Sequence, residues 1–408
     1  MIKRIRSEQL RPGMYIHDLN RGWMGHTFLF NAFRVDDEKT IEKIVADGIR
    51  EIYIDTSKGL DVEDAQTQDE HHAELHHQMM QMFMGHGSKH IAPVPFEDEM
   101  DAAVAVHKEA NHVVHTIMED IRLGKQIETE KITPVVENIT DSIFRNQDAL
   151  IALSRIKHKD DYTFQHSVSV CALLVAFCRA MGYERKVILQ AGIGGLLHDI
   201  GKMKVPSAIL NKPGALTDEE FEVMKSHSAI GRDLLNEIPG MPEIAVLIAG
   251  QHHERFDGAG YPDKLKGDEI SQFGQLASIV DVYDALTSHR IYHKGIEPAE
   301  ALKKLFEWSR FHFNGKLVQH FIRTVGIYPT GTLVALESGF LGVVVKPGQT
   351  DLLHPVVRIV FDSGLDVPVI PRDVDLSRSV GKGGGDRIVR NEHPEKWGID
   401  PYKYLLTA

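Results

Sequence analysis

The sequence predicts a mainly α protein: a multi-helix bundle, with a small α+β module ahead of it and a small β appendage behind. Three observations predict it. From about residue 157 to 325, apolar residues recur at helical spacing almost throughout. After Gly326 the pattern turns strand-like, in "GTLVAL", "GFLGVVVK" and "PVVRIVF", separated by Gly and Pro. Near the start, "EKTIEKIVADGI" has helical spacing and "REIYIDT" after it reads as a short strand.

These signals divide the chain into five parts. Residues 1–62 form the α+β module. Residues 63–100 are rich in His, Met and Gln and end in Pro, which reads as a linker or frayed helix; metal binding by the His tract is the weaker reading. Residues 101–156 resume a helical period through "MDAAVAVHKEANHVVHTIMEDIRLG", a connector able to dock domains or pair two chains. Within the main bundle, 157–325, the helix boundaries are legible. "NKPGALTDEEFEVM" has a Pro-Gly turn and then Thr217 with Glu220 three residues on, a capping box in which each residue satisfies the other's backbone N–H. Residues 326–408 hold the β appendage and a tail with the flexible "GKGGGD".

Composition narrows the function. A chain of 408 residues with 42% apolar and 25% charged residues is an ordinary globular protein with material for two or three domains. Its formal net charge of −12 argues against binding DNA or RNA polymers, whose phosphates call for a basic surface, but leaves room for a small anionic ligand. Cys171 and Cys178 lie seven apart in "CALLVAFC". On one helix that is roughly 10 Å, too far for a disulfide, so buried reduced thiols are expected. The N-terminus has no signal-peptide core, and no apolar stretch is read as long enough for a membrane span. A soluble cytoplasmic protein is the expectation.

The bundle region holds an unusual set of metal-type residues: His166 in "YTFQHSVSV", His198 and Asp199 in "LLHDIGK", His227 in "EVMKSHSAIG", His252 and His253 in "HHERFDGAGYP", and Asp281 in "SIVDVYDAL". Successive groups are about 25 to 32 residues apart, room for a helix and its return connection. Each group lies beside an apolar helical run, so several helices can converge on one interior point. Any one of these histidines alone is more often a core or surface residue than a ligand. Together, five imidazoles and two carboxylates exceed what one zinc needs and suit two six-coordinate cations with N/O shells. Asp199, beside His198, is the natural bridge. Two such cations can hold a bridging hydroxide and clamp the oxygens of an in-line displacement at phosphorus.

"HDIGK", "LTDEEFEVMKSH", "HHERFDGAGYP" and "DVYDALTSHRIYHKG" together resemble the HD-GYP branch of the HD-domain metal-dependent phosphohydrolases, over about residues 157–325. "LRPGMYI" with the helix–strand unit after it resembles, less specifically, a small domain found ahead of such modules. The resemblance implies an HD-domain bundle holding a dinuclear site and an activity that hydrolyses cyclic di-GMP to linear pGpG, in some members on to GMP. It places His166, His198, Asp199, His227, His252, His253 and Asp281 at the family's metal-ligand positions. Iron or manganese is the family expectation, and the ligand chemistry also permits nickel, cobalt or zinc. Four residues before His166, where some members carry a glutamate that holds a third metal, this chain has Tyr162, so two metals and pGpG are expected.

The resemblance also assigns substrate contacts. Lys202 matches the family lysine after the HD pair and is placed to stabilise charge on a phosphate oxygen. Arg290 matches a substrate-phosphate arginine, whose planar fork suits a phosphate. Where a second basic residue is usual this chain has His293, with Lys294 next and Ile291 in place of proline, a departure that bears on the grip on the second phosphate. His252 and His253 would end a helix and give one imidazole to each metal, with Tyr261 and Pro262 bracing a wall near the substrate entrance. Asp284, three residues after Asp281, would orient a ligating imidazole. Asp257 reads as a turn residue.

Two other functions compete. An HD-fold hydrolase of another nucleotide would need fewer histidines and no "GAGYP" loop. A cyclic di-GMP receptor that does not turn over its ligand would usually lack part of the motif set, which here is complete. The N-terminal module and connector read as regulatory or dimerising, with a second copy or signalling proteins as partners.

Overall fold

The computed structural model describes residues 1–20, 32–83, 93–125, 128–153, 162–212, 214, 216–288, 295–348, 351–378 and 385–406. The chain divides into two compact units, one of residues 1–81 with 205–226 and the other of residues 82–204 with 227–408.

The first unit is built on an antiparallel sheet in the order β1-β4-β2-β3, from strands Ile2–Arg6 (β1), Tyr15–Asp18 (β2), Phe33–Arg34 (β3) and Glu51–Asp55 (β4). Helix α1, Glu38–Ala46, is capped by the Asp37 side chain, which accepts from Thr40 N. The helix buries Ile41 and Ile44 against Ile5, Ile16, Ile52 and Ile54 of the sheet. Within the stretch expected as a His/Met-rich linker, Gln68–Phe83 forms helix α2. Its Leu75, Met79 and Phe83 are buried four residues apart, one stripe of a helix. Residues 205–226 belong to this unit and carry helices Ser207–Leu210 (α7) and Asp218–Lys225 (α8). The Thr217–Glu220 capping box opens α8, and Asp218 pairs with Lys43 of α1 at 2.8 Å.

In the second unit, helices Phe96–Arg122 (α3) and Thr129–Leu153 (α4) pack side by side. They are joined by buried Glu99, which accepts from Ser142 Oγ at 2.8 Å and from both Nε and Nη2 of Arg145, at 2.6 and 2.8 Å. Next come Tyr162–Ala180 (α5), Arg185–Leu197 (α6), His227–Asn236 (α9), Glu243–Gln251 (α10), Gln272–Thr287 (α11), Pro298–Trp308 (α12) and Gly315–Val325 (α13). At the centre the Phe321 ring meets those of Phe177 and Tyr283 at steep angles of 59° and 73°, with centroids 5.2 Å away in both cases. A five-stranded antiparallel sheet in the order β8-β7-β6-β5-β9 follows, from Leu333–Leu336 (β5), Phe340–Lys346 (β6), Val356–Asp362 (β7), Val367–Asp375 (β8) and Ile388–Asn391 (β9). The mainly α architecture with small sheets at both ends is as the sequence predicts.

Two glycines set the close approaches that position the site. A methyl on Gly194 of α6 would lie 2.6 Å from Ile248 Cδ1 and 3.0 Å from the Ala245 Cα of α10, so a larger residue would need these helices to shift. A methyl on Gly201, in the 3-10 turn Ile200–Lys204, would strike the His227 carbonyl oxygen at the start of α9. The thiols of Cys171 and Cys178 are free and buried, as expected. One sequence expectation needs correction: Thr163–Ala180 is long and apolar enough to cross a membrane. Most of it is buried in the bundle, where surrounding helices supply the apolar environment, and it carries His166.

Candidate metal centre

Four helix ends and one helix interior converge on a single buried cluster. His166 comes from the first turns of α5, and His198 caps the C-terminus of α6 with Asp199 next to it. His227 opens α9, His252 and His253 follow the C-terminus of α10, and Asp281 lies within α11. His166, His198, Asp199, His227, His252 and Asp281 are each at most 2% exposed.

The donors fall into two groups that share one carboxylate: Asp199 with His166 and His198, and Asp199 with His227, His252 and His253. Asp199 divides its oxygens between them. Its Oδ2 lies 3.3 Å from His198 Nε2 and 3.8 Å from His166 Nε2, and its Oδ1 lies 3.3 Å from His227 Nε2 and 3.7 Å from His252 Nε2. Asp281 reaches both groups too, with Oδ1 2.9 Å from His166 Nε2 and Oδ2 3.8 Å from His253 Nδ1. The adjacent His252 and His253 fall in the same group, whereas the sequence suggested one imidazole for each metal. Two consecutive residues just past a helix end can still aim their rings at one point, and here the ring centroids are 4.1 Å apart.

Hydrogen bonds on the outer side of the rings fix the tautomers. His198 Nδ1 donates to Gly195 O at 2.8 Å, and His252 Nδ1 donates to Ala249 O at 2.9 Å. A carbonyl only accepts, so each Nδ1 carries the proton and each Nε2 turns a lone pair inward. His166 Nδ1 donates to Asp284 Oδ2 at 2.6 Å, the orienting contact expected of Asp284.

This donor set fits divalent cations. Buried polar atoms normally find a partner. Yet His198 Nε2, Asp199 Oδ1, His253 Nε2 and Asp281 Oδ2 are all buried without a hydrogen bond. His227 Nε2 and His252 Nε2 approach to 3.3 Å, two basic nitrogens aimed at the same space. Neutral imidazoles and carboxylates are the ligands of borderline divalent metals.

Local charges agree. Burial alone would raise the Asp199 carboxyl, but the Lys202 ammonium, 2.5 Å from Oδ2, and His198 hold it well below the usual carboxylate range. Burial opposes ionisation of Asp281 as well, and the hydrogen bond from His166 overrides it. Burial lowers His227 and His253, which keeps both rings neutral, as ligands must be. His166 is raised: burial pulls it down, but its bonds to Asp281 and Asp284 favour a second proton at the place a cation would take.

Lys202 is thus brought to the cluster, with its side chain 14% exposed. The half-buried Tyr261 ring lies against His253, centroids 4.7 Å apart and planes at 33°. Asp257 acts as a turn residue, accepting from Ala259 N at 3.1 Å and pairing with Arg255. Arg290, His293 and Lys294 lie outside the described residues, and nothing is described of the Tyr162 side chain. Glu254 was missed by sequence reasoning. It is 2% exposed and accepts from Asp263 N at 2.7 Å and from Leu265 N at 3.0 Å. The available signal was a carboxylate next to two ligand-type histidines, at the entry of a loop with many backbone donors.

Comparison with known proteins identifies the family. A family described as HD domain matches residues 145–317, and one described as a domain of unknown function (DUF3391) matches residues 2–132. The chain is 39% identical to cyclic di-GMP phosphodiesterase PA4108 of Pseudomonas aeruginosa, covering 100% of this chain and 96% of that protein. It is 36% identical to the cyclic di-GMP phosphodiesterase response regulator RpfG of Xanthomonas campestris, over 44% of this chain and 48% of that one. It is 34% identical to a cyclic di-GMP phosphodiesterase of Thermotoga maritima, over 45% of this chain and 50% of that one. With its HD pair, its "GYP" loop and a full-length relative of this similarity, the chain belongs to the HD-GYP family of HD-domain phosphodiesterases.

Proposed function

We propose that this protein hydrolyses cyclic di-GMP to linear pGpG and so lowers the level of that second messenger. The observation that carries the reading is Asp199, which turns one carboxylate oxygen to each of two groups of buried imidazoles. Those groups would hold two divalent cations, iron or manganese by family expectation, through His166, His198, His227, His252, His253, Asp199 and Asp281. The cations, when bound, polarise a phosphoryl oxygen and supply a hydroxide nucleophile at neutral pH.

The chain's own residues do the rest. Backbone carbonyls hold the protons of His198 and His252 on the outer nitrogen, and Asp284 does so for His166. Lys202 stands where its ammonium can follow charge from Asp199 to a phosphate oxygen as the diester is cleaved. The Tyr261 ring walls one side of the cluster against His253. Arg290, with His293 and Lys294, is assigned to the substrate phosphates from the sequence motif. The N-terminal unit is assigned a regulatory role, and the protein a cytoplasmic location.

Anaerobic purification with metal analysis, then chromatography of products with and without chelator, tests the reading. About two metals per chain and chelator-sensitive pGpG formation are expected. Bound but intact cyclic di-GMP on metal-loaded protein would make the chain a receptor instead.

A further inference from the structure

Among the described residues Glu254 bonds to backbone N–H groups and to none of the metal-type donors, yet it is a buried carboxylate one residue from His253. Burying a carboxylate is costly unless its oxygens are satisfied. Here both are, and by backbone alone: Oε1 accepts from Asp263 N and Oε2 from Leu265 N. The side chain therefore joins the two ends of the segment that carries Tyr261 and Pro262.

The rest of the segment folds onto that tie. Tyr261 N donates to His253 O at 3.2 Å, and Gly258 N donates to Arg255 O at 2.8 Å. A methyl on Gly260 would strike Arg255 N and the Glu254 backbone, so the loop runs directly over its own entry point. Phe256 N is held by His312 O at 2.9 Å, which fixes the outer side. The product of these bonds is the position of one ring, Tyr261 against His253.

We infer that Glu254 is a positioning residue: it closes the 254–265 loop so that Tyr261 stands as a fixed wall beside the His227–His252–His253 donor group, and thereby sets the affinity for the dinucleotide. The inference rests on the hydrolase reading above for its substrate, but not for its geometry. Glu254→Gln is the sharp perturbation. It keeps the size, but both oxygens of Glu254 accept N–H groups, so the amide must turn its own NH2 against one of them.

The experiment compares metal-loaded full-length protein with the E254Q and E254A variants in three measurements: metals per chain, amide exchange across residues 255–265, and steady-state kinetics with cyclic di-GMP. Expected are unchanged metal content, faster exchange at the Asp263 and Leu265 amides, and a KM raised at least about tenfold while kcat falls by less than about threefold. A residue that merely stabilised the fold would lower metal content and the active fraction, and so kcat, with KM unchanged. Unaltered exchange, or KM within about twofold of wild type, overturns the inference. If wild type fails to turn over cyclic di-GMP, the hydrolase reading has failed separately. The inference is then decided by the exchange measurement and by the dissociation constant for cyclic di-GMP, which must rise in E254Q for it to stand.

Discussion

Removing the Asp284 carboxylate should weaken the hold on one metal and spare the other. Asp284 Oδ2 accepts from His166 Nδ1 at 2.6 Å, and His166 belongs to the group of His198 and Asp199. In Asp284→Ala the imidazole loses the acceptor that fixes its tautomer and orientation. The proton can move to Nε2, the nitrogen that faces Asp199 and Asp281. Loss of such an outer partner weakens metal binding about 10- to 100-fold, equivalent to about 1.4–2.7 kcal/mol. The effect falls on the His166–His198–Asp199 group alone, because the other group's rings are oriented by other bonds, such as His252 Nδ1 to Ala249 O. Titration of metal-free protein under anaerobic conditions, read by metal analysis and calorimetry, should show two steps in wild type. In the variant one step should stay in place and the other shift by this factor. Asp284→Asn, which can still accept through its amide oxygen, should fall between. Two unshifted steps, or equal weakening of both, would refute the division of donors described here.

Other changes separate the parts of the centre. Asp199→Ala strips the shared ligand from both groups, so metal content should approach zero and cyclic di-GMP hydrolysis should fall on the order of 10³-fold or more. Lys202→Ala should instead keep both metals and lose about 10²- to 10³-fold in kcat, as expected for charge stabilisation in the transition state. Gly201→Ala drives a methyl into the His227 carbonyl, so a loss of about 1–3 kcal/mol in chemical denaturation and a lower metal affinity should appear together. Burial pushes the Cys178 thiol up from about 9 to about 12, and Cys171 in the same direction. The unfolded chain releases these protons first, so stability present below about pH 9 should decline as pH rises toward 12, and a Cys171→Ala, Cys178→Ala variant should flatten that slope.

The sequence displayed the centre more fully than its wiring. The seven metal-type residues were legible because each lies beside an apolar helical run, and helices bring their ends together in a bundle. Asp284 was legible from its place one helical turn past Asp281. The capping box at Thr217 was legible because it is a local bond pattern. The partition of the imidazoles was not, since it depends on the direction His253 takes after α10 has ended. Glu254 was harder to see for a similar reason: its partners are N–H groups at 263 and 265, which every residue but proline possesses, so its only signal was a carboxylate beside two histidines at a loop entry. The stripe of Leu75, Met79 and Phe83 was overshadowed by the polar composition around it, though its spacing of four was present in the sequence.

The route of the chain also bears on how this protein can be taken apart. Residues 205–226 lie in the sequence between Lys202 and His227, two neighbours at the metal centre, yet they belong to the unit built from residues 1–81. A linear cut after the N-terminal module would therefore not yield an intact half. It would leave α8 as an orphaned excursion, with Asp218 deprived of Lys43. Chimeras that exchange the N-terminal unit should carry both segments across together, because the unit of inheritance in this fold is discontinuous.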